Sequence, residues 1–202
     1  MKVIGLTGQT GAGKGAFCKI LEKYSIPFLD TDKTARDVVE KGSPCLSELC
    51  GHFGNNILND DGTLNRAVLG NIVFSDKKEL EVLNSITHKY ITQKIYMWLS
   101  VQENLGFSAA VIDAPQLFES GANEMCDITV ALIADEKTRL SRIMERDGID
   151  EEYAKKRMAS QKDEVFFITK CDYIIFNNGS EEALEKETIV FLKKEQLISC
   201  GG

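Results

Sequence analysis

At 202 residues, 43% hydrophobic and 27% charged, the chain has the size and make-up of one soluble globular domain with room for a small insertion. Its net charge of −7 and the lack of any dense Lys/Arg cluster argue against a nucleic-acid-binding surface. The longest apolar runs are strand-sized, so no signal peptide or membrane span is expected, and the chain reads as cytoplasmic, with a monomer as the expected state. Cysteines 18, 45, 50, 126, 171 and 200 form no C-x-x-C pair and fall in segments that look buried, the pattern of reduced core thiols.

In chain order, Lys2 to Thr7 is a short apolar run of β character, followed by Gly8-Gln9-Thr10-Gly11-Ala12-Gly13-Lys14. A helical pattern then runs from about Lys14 to Tyr24 and carries Phe17, Ile20 and Leu21. Strand, glycine loop and helix in this order form a phosphate-binding P-loop. Glycines let the backbone curl so that several N–H groups point at one anion, and the positive end of the helix adds to them. The Lys14 ammonium is placed to reach the β- and γ-phosphates. Position 15 is Gly, where the motif has Ser or Thr, and Ala16 offers no hydroxyl either, so the usual side-chain ligand for Mg²⁺ is missing.

Ser25 to Leu29 reads as a second strand, closed by Asp30-Thr31-Asp32 and followed by a helix from Lys33 to Glu40. Strand, helix, strand implies a parallel βαβ unit, whose ligands lie at the carboxyl ends of the strands. Asp30 and Asp32 sit at such an end. Asp32 is also a good N-cap and Asp30 a good turn former, roles compatible with catalysis. From Gly42 to about Phe107 the pattern is helical: Leu46 to Phe53, Ala67 to Phe74, Leu80 to Ile86, and a long amphipathic stretch from His88 to Gln102. This reads as a helical insertion of the kind that holds an acceptor substrate. His52 and His88 lie far apart and read as structural or exposed.

Ala109 to Asp113 is apolar enough to be a central strand, with Asp113 at its carboxyl end as a candidate Mg²⁺ carboxylate, direct or through water. Pro115 to Glu119 is a loop, Ile128 to Ile133 the fourth strand, Glu136 to Arg146 a helix, and Asp150 caps another helix running to about Gln161. Arg139, Arg142, Arg146 and Arg157 allow two readings. One is a solvated basic face paired with Glu136, Glu145, Glu151 and Glu152; the other is a lid whose guanidinium groups close over a transferring phosphoryl group. Asp172 to Phe176 is the fifth strand. Asn177-Asn178-Gly179 is either a plain turn or a set of contacts to an adenine ring, and Glu181 to Gln196 is a closing amphipathic helix.

Laid out this way, the chain resembles the dephospho-CoA kinases from Lys2 to about Leu192. The residues that carry the resemblance are the P-loop Gly8 to Lys14, Asp30-Thr31-Asp32 with Ala35-Arg36, Gly42-Ser43-Pro44 and Phe53-Gly54. Further along they are Asp61 to Arg66, Leu83-Asn84 with His88, Asp113-Ala114-Pro115 through Phe118-Glu119, Arg142, Arg146-Asp147, Arg157 to Gln161, and Asn177 to Gly179. The resemblance implies a three-layer α/β P-loop kinase fold, with a parallel sheet of about five strands, a helical acceptor-binding insertion and a helical lid. It implies one catalytic domain over 1–202, with a nucleotide core at 1–32 and 108–202, the insertion at about 42–107 and the lid at about 139–161.

It also implies transfer of the ATP γ-phosphoryl group to the ribose 3′-hydroxyl of dephospho-CoA with Mg²⁺, the partners being small molecules and neither nucleic acid nor membrane. On that reading the nucleotide is held by Gly8, Gly11, Ala12, Gly13, Lys14, Gly15, Ala16, Arg142 and Asn177. The acceptor is held by Asp32, Arg36, His88, Phe118 and Arg157. Asp32 is the base, Lys14 and Arg142 stabilise the transferring charge, and Asp113 is the metal carboxylate. The chain departs from the family pattern at Gly15 (Ser/Thr), Lys89 (Pro) and Gln116 (Leu). Two other readings remain open: a different small-molecule P-loop kinase, or a nucleotide-binding homologue impaired in catalysis by Gly15. A switch GTPase is disfavoured because no N-K-x-D stretch is present.

Overall fold

The computed structural model describes residues 1–198. The chain divides into two compact units: Met1–Leu29 together with the chain from Val101 onward, and Asp30–Ser100.

The first unit is built on a five-stranded parallel sheet in the order β2-β3-β1-β4-β5. Its strands are β1 (Lys2–Gly8), β2 (Phe28–Asp30), β3 (Ala109–Asp113), β4 (Ile128–Ile133) and β5 (Tyr173–Phe176). The central strands are mostly apolar because both sheet faces are covered, the buried exceptions being Thr7 and Thr129. Ile4, Leu6, Val111, Val130 and Leu132 face one layer with α1 (Lys14–Lys23) and α9 (Glu181–Lys194), where the Phe17 and Phe191 ring centroids lie 6.4 Å apart. Alternate residues Ala131 and Ile133 point the other way, onto Phe167 of α8 (Glu164–Lys170). Parallel strands need right-handed crossovers, so helices cover both faces and three layers result. The sequence pattern gave no sign of α8.

Between β4 and β5 the chain forms α6 (Glu136–Asp147) and α7 (Glu151–Ala159). Asp135 and Asp150 cap their N-termini, Gly148 ends α6 in the left-handed conformation, and Ile143, Ala154 and Met158 form their shared core.

The second unit contains α2 (Thr31–Asp37), α3 (Pro44–Phe53), a 3₁₀ turn at Asn55–Ile57, α4 (Arg66–Ser75) and most of α5 (Lys77–Asn104). Leu49, Ile57, Leu69, Val73 and Ile86 form its core. The stretches read separately as Leu80 to Ile86 and His88 to Gln102 are one helix. Thr87 Oγ1 donates to the Leu83 carbonyl at 2.8 Å, and Lys89 keeps the backbone N–H that a proline would lack.

Two further expectations are corrected. The second strand is three residues rather than five, since Ser25 adopts φ +56° and Pro27 offers only its carbonyl, which accepts from Val111 N–H at 2.9 Å. The following helix starts at Thr31 and ends at Asp37, capped by Asp30 and not by Asp32: the Asp30 side chain accepts the Lys33 N–H at 3.0 Å. Of the cysteines, Cys18 and Cys45 are buried, Cys50, Cys126 and Cys171 are partly so, and all five are free thiols. Burial pushes Cys126 up to about 12 and Cys171 up to about 11, so these thiols stay protonated and unreactive. Cys200 lies outside the described residues.

Candidate active site

The carboxyl end of β1 runs straight into the glycine loop, and packing fixes the loop's path. Gly8 has φ +131°, and a Cβ there would lie 2.2 Å from the Leu132 carbonyl oxygen of β4. Gly13 has φ +101°, and a Cβ there would lie 2.3 Å from Asn177 Nδ2. Both positions therefore require glycine on conformational and on steric grounds. Gly13 precedes α1 and brings no side-chain cap, so the positive end of that helix faces the loop without a side chain across it. Lys14 Nζ curls back to donate to the Gly8 carbonyl at 3.1 Å, which carries its charge over the loop.

Three contacts from the C-terminal half of the chain grip this loop. Asn177, only 4% exposed at the end of β5, donates from Nδ2 to the Ala12 carbonyl at 2.8 Å. Arg142 of α6 donates to the carbonyls of Asn177 at 3.0 Å, Gly11 at 3.4 Å and Gly179 at 3.4 Å. On another side Gln161, just beyond α7, accepts the Thr10 N–H on its side-chain oxygen at 2.7 Å. Gln161 also lines a cavity of about 620 Å³ with Gln9, Arg139, Lys155, Lys162 and Glu164. Arg139 packs its backbone on Gly11, and burial holds its guanidinium below the usual arginine range. Asp113 ends β3 opposite Leu6, half-buried, with Cys18 Sγ donating to its Oδ2 at 3.9 Å. Gly15 is exposed, and a Cβ there would meet nothing within 4 Å.

A family model of dephospho-CoA kinases matches residues 2–183. The chain belongs to the dephospho-CoA kinase family. A dephospho-CoA kinase of Listeria monocytogenes is 40% identical over 196 residues, covering 96% of each chain. One of Shouchella clausii is 39% identical over 191 residues, covering 95% of this chain and 97% of its own. The yeast dephospho-CoA kinase is 36% identical over 201 residues, 97% of this chain and 83% of its own. Among solved structures, the dephospho-CoA kinase of Campylobacter jejuni superposes with a TM-score of 0.71 at 28% identity, over 96% of this chain and 98% of its own. A shikimate kinase of Bacteroides thetaiotaomicron, 14% identical with a TM-score of 0.53, shares the fold.

Other residues that dephospho-CoA kinase resemblance singles out fall in two groups. In the first unit, Arg146 makes a two-point contact with Asp147 (Nε 2.7 Å, second nitrogen 2.8 Å), and Arg157 meets the same carboxylate at 2.6 Å. These guanidinium groups hold the Asp147 carboxyl below its ordinary value, Arg146 contributing most. Glu151 and Glu152 pair instead with Lys155 and Lys156, while Glu136 faces Arg139 as spacing suggested. Phe118, read as an exposed loop residue, is half-buried edge-on against Phe166, ring centroids 5.8 Å apart. In the second unit, Asp32 and Arg36 are both exposed and lie one turn apart on α2, sharing a face. His88 is half-buried on α5, while His52 pairs with Glu79 at 2.8 Å.

Sequence reasoning assigned no role to Asp147 or to Gln161. The signal for Asp147 was its place beside Arg146. Gln161 closed a matched motif without any chemistry attached.

Proposed function

We propose that the protein transfers the γ-phosphoryl group of ATP to the ribose 3′-hydroxyl of dephospho-CoA, giving coenzyme A and ADP, and that it does so in the cytoplasm. The observation that carries this reading is the phosphate loop itself. Its glycines are enforced by Leu132 and Asn177, and Lys14 is curled over it, in a chain that matches dephospho-CoA kinases along nearly its whole length.

In this mechanism the N–H groups at the start of α1 and the Lys14 ammonium receive the β- and γ-phosphates, the electrostatic stabilisation on which phosphoryl transfer mostly depends. Arg142, which donates to the carbonyls of Gly11, Asn177 and Gly179, ties the loop to the Asn177–Gly179 turn and stabilises charge on the transferring phosphoryl group, while Asn177 serves the nucleotide. Arg146 assists Arg142 at the transferring phosphoryl oxygens and Arg157 holds the acceptor, both by leaving their shared partner Asp147. Asp32, which does not cap its helix, takes the proton of the acceptor hydroxyl, and Arg36 one turn on holds an acceptor phosphate. His88 and Phe118 belong to the acceptor side.

Mg²⁺ fits the donors of this site. The candidate ligands are the hard oxygens of Asp113 and of the phosphates, and Mg²⁺ characteristically takes one or two carboxylates plus substrate phosphates rather than an all-protein cage. Among the described residues no group of three or more His, Cys, Asp or Glu is arranged to hold a metal. A Mg²⁺ held by Asp113 and the phosphates would supply neutralisation of the β- and γ-phosphate charge. The open space at Gly15 leaves room for water to stand where a hydroxyl ligand would be.

The test is a coupled assay of purified protein with ATP, Mg²⁺ and dephospho-CoA, following ADP and identifying coenzyme A by mass. Formation of coenzyme A supports the assignment. ATP binding without turnover on dephospho-CoA, or faster turnover of a sugar or nucleoside acceptor, overturns it.

A further inference from the structure

The Gln161 contact to the phosphate loop is not part of the mechanism above. Thr10 is buried, at 8% exposure, and its backbone N–H is claimed by a side chain 151 positions away, Gln161 Oε1 at 2.7 Å. A buried backbone N–H needs a partner, and a side-chain carbonyl at this distance satisfies it fully. Gln161 is itself held from both flanks. Its own N–H reaches the Met158 carbonyl at 3.3 Å, and Met158 packs into the α6–α7 core with Ile143 and Ala154. Two residues on, Asp163 caps α8 by accepting the Phe166 N–H at 2.9 Å. The side-chain oxygen of Gln161 is thus presented to the loop from a fixed backbone.

The bond also sorts the N–H groups of the loop. Ala12 N–H turns back to the Gln9 carbonyl at 3.1 Å and Thr10 N–H turns out to Gln161, so neither points at a bound anion. Together the two bonds fix the curvature of the segment between Gly8 and Ala12. Arg142 and Asn177 hold the other half of the loop at the Gly11 and Ala12 carbonyls.

We propose that Gln161 is a positioning residue for nucleotide binding. Its amide oxygen holds the Thr10 N–H outward and couples the end of the α6–α7 arm to the phosphate loop, so that the loop is shaped for a nucleoside triphosphate before one arrives. The inference rests on reading Gly8 to Gly15 as the nucleotide cradle. It predicts that an acceptor at position 161, and not merely a side chain of that size, sets ATP affinity.

The experiment compares wild type with Gln161→Leu, which keeps the volume and loses the acceptor, and Gln161→Glu, which keeps an oxygen within reach. Steady-state constants for ATP and dephospho-CoA are measured beside amide hydrogen exchange at Thr10. For Gln161→Leu, KM for ATP is expected to rise about fivefold to tenfold, with kcat and KM for dephospho-CoA within about twofold, because one part-buried N–H loses its partner. Exchange at Thr10 should accelerate in the same variant, while Gln161→Glu restores slow exchange and most of the ATP affinity. Thr10 exchange that is as slow in Gln161→Leu as in wild type overturns the proposal. So does an ATP constant that changes equally in both variants. Failure of wild type to bind ATP would instead overturn the nucleotide reading, which the exchange measurement does not depend on.

Discussion

The side-chain amide of Asn177 donates to the carbonyl of Ala12 at 2.8 Å, joining the end of β5 to the middle of the phosphate loop across 165 positions of sequence. Asn177 is almost wholly buried, so the contact is not shared with solvent. Replacing it with Leu keeps the volume and orphans the Ala12 carbonyl, a loss of about 1–3 kcal/mol for a buried polar group. In a protein of this size that lowers the melting temperature by about 2–4 °C per kcal/mol. KM for ATP should rise with it, and calorimetry with and without nucleotide checks both.

Asp32 carries the next expectation. Because Asp30 caps α2, Asp32→Asn removes a carboxylate without removing the cap, and the fold should be indifferent to it. A general base contributes about 10² to 10⁴ in rate, so kcat should fall within that range while the melting temperature holds. Turnover near that of wild type would remove Asp32 from the chemistry.

Gly15 offers a gain rather than a loss. Nothing lies within 4 Å of a Cβ built there, and Gly15 does not sit in the left-handed region that favours glycine, so Gly15→Ser should fold as wild type does. The new hydroxyl adds a Mg²⁺ ligand at the loop. The Mg²⁺ concentration for half-maximal rate should fall. An unchanged titration would mean that position 15 takes no part in holding the metal.

Asp172 sets a pH dependence away from the site. Its Oδ2 accepts from Thr129 Oγ1 at 2.7 Å and from Thr129 N–H at 2.8 Å, and these bonds hold its carboxyl below the ordinary value of 3.8. A carboxyl depressed in the folded state stabilises the fold at pH above its unfolded value, and that stability is lost as pH falls through the folded value. The deficit of Asp172→Asn should therefore be about 1 kcal/mol near neutrality, small because the carboxylate stays mostly in solvent, and should shrink toward zero in acid. Urea melts at several pH values read it directly.

Much of the fold was legible because strand and helix periods in this chain are clean. Ala109 to Ile112 is wholly apolar and Ile128 to Ile133 is apolar but for Thr129, which marks strands covered on both faces, and Gly8 to Lys14 announced the loop between β1 and α1. What stayed hidden depended on contacts distant in sequence. No periodicity says that Arg142 will spend its guanidinium on three carbonyls, or that Gln161 will take the Thr10 N–H. Asp30 and Asp32 are both good caps by type, and only the observed start of the helix chooses between them. α8 was missed because seven residues with two adjacent phenylalanines, Phe166 and Phe167, look no more like a helix than a strand.

Arg142 holds the path of the chain: among the described residues its guanidinium donates to main-chain carbonyls, at Gly11, Asn177 and Gly179. One side chain therefore ties the phosphate loop to the turn that leads into α9. A nucleotide that steadies the loop must also raise the free energy for freeing the last helix, although α9 need never touch it. The C-terminal end of the described chain becomes a reporter of occupancy at its N-terminal end, readable as slowed amide exchange in α9 when nucleotide binds.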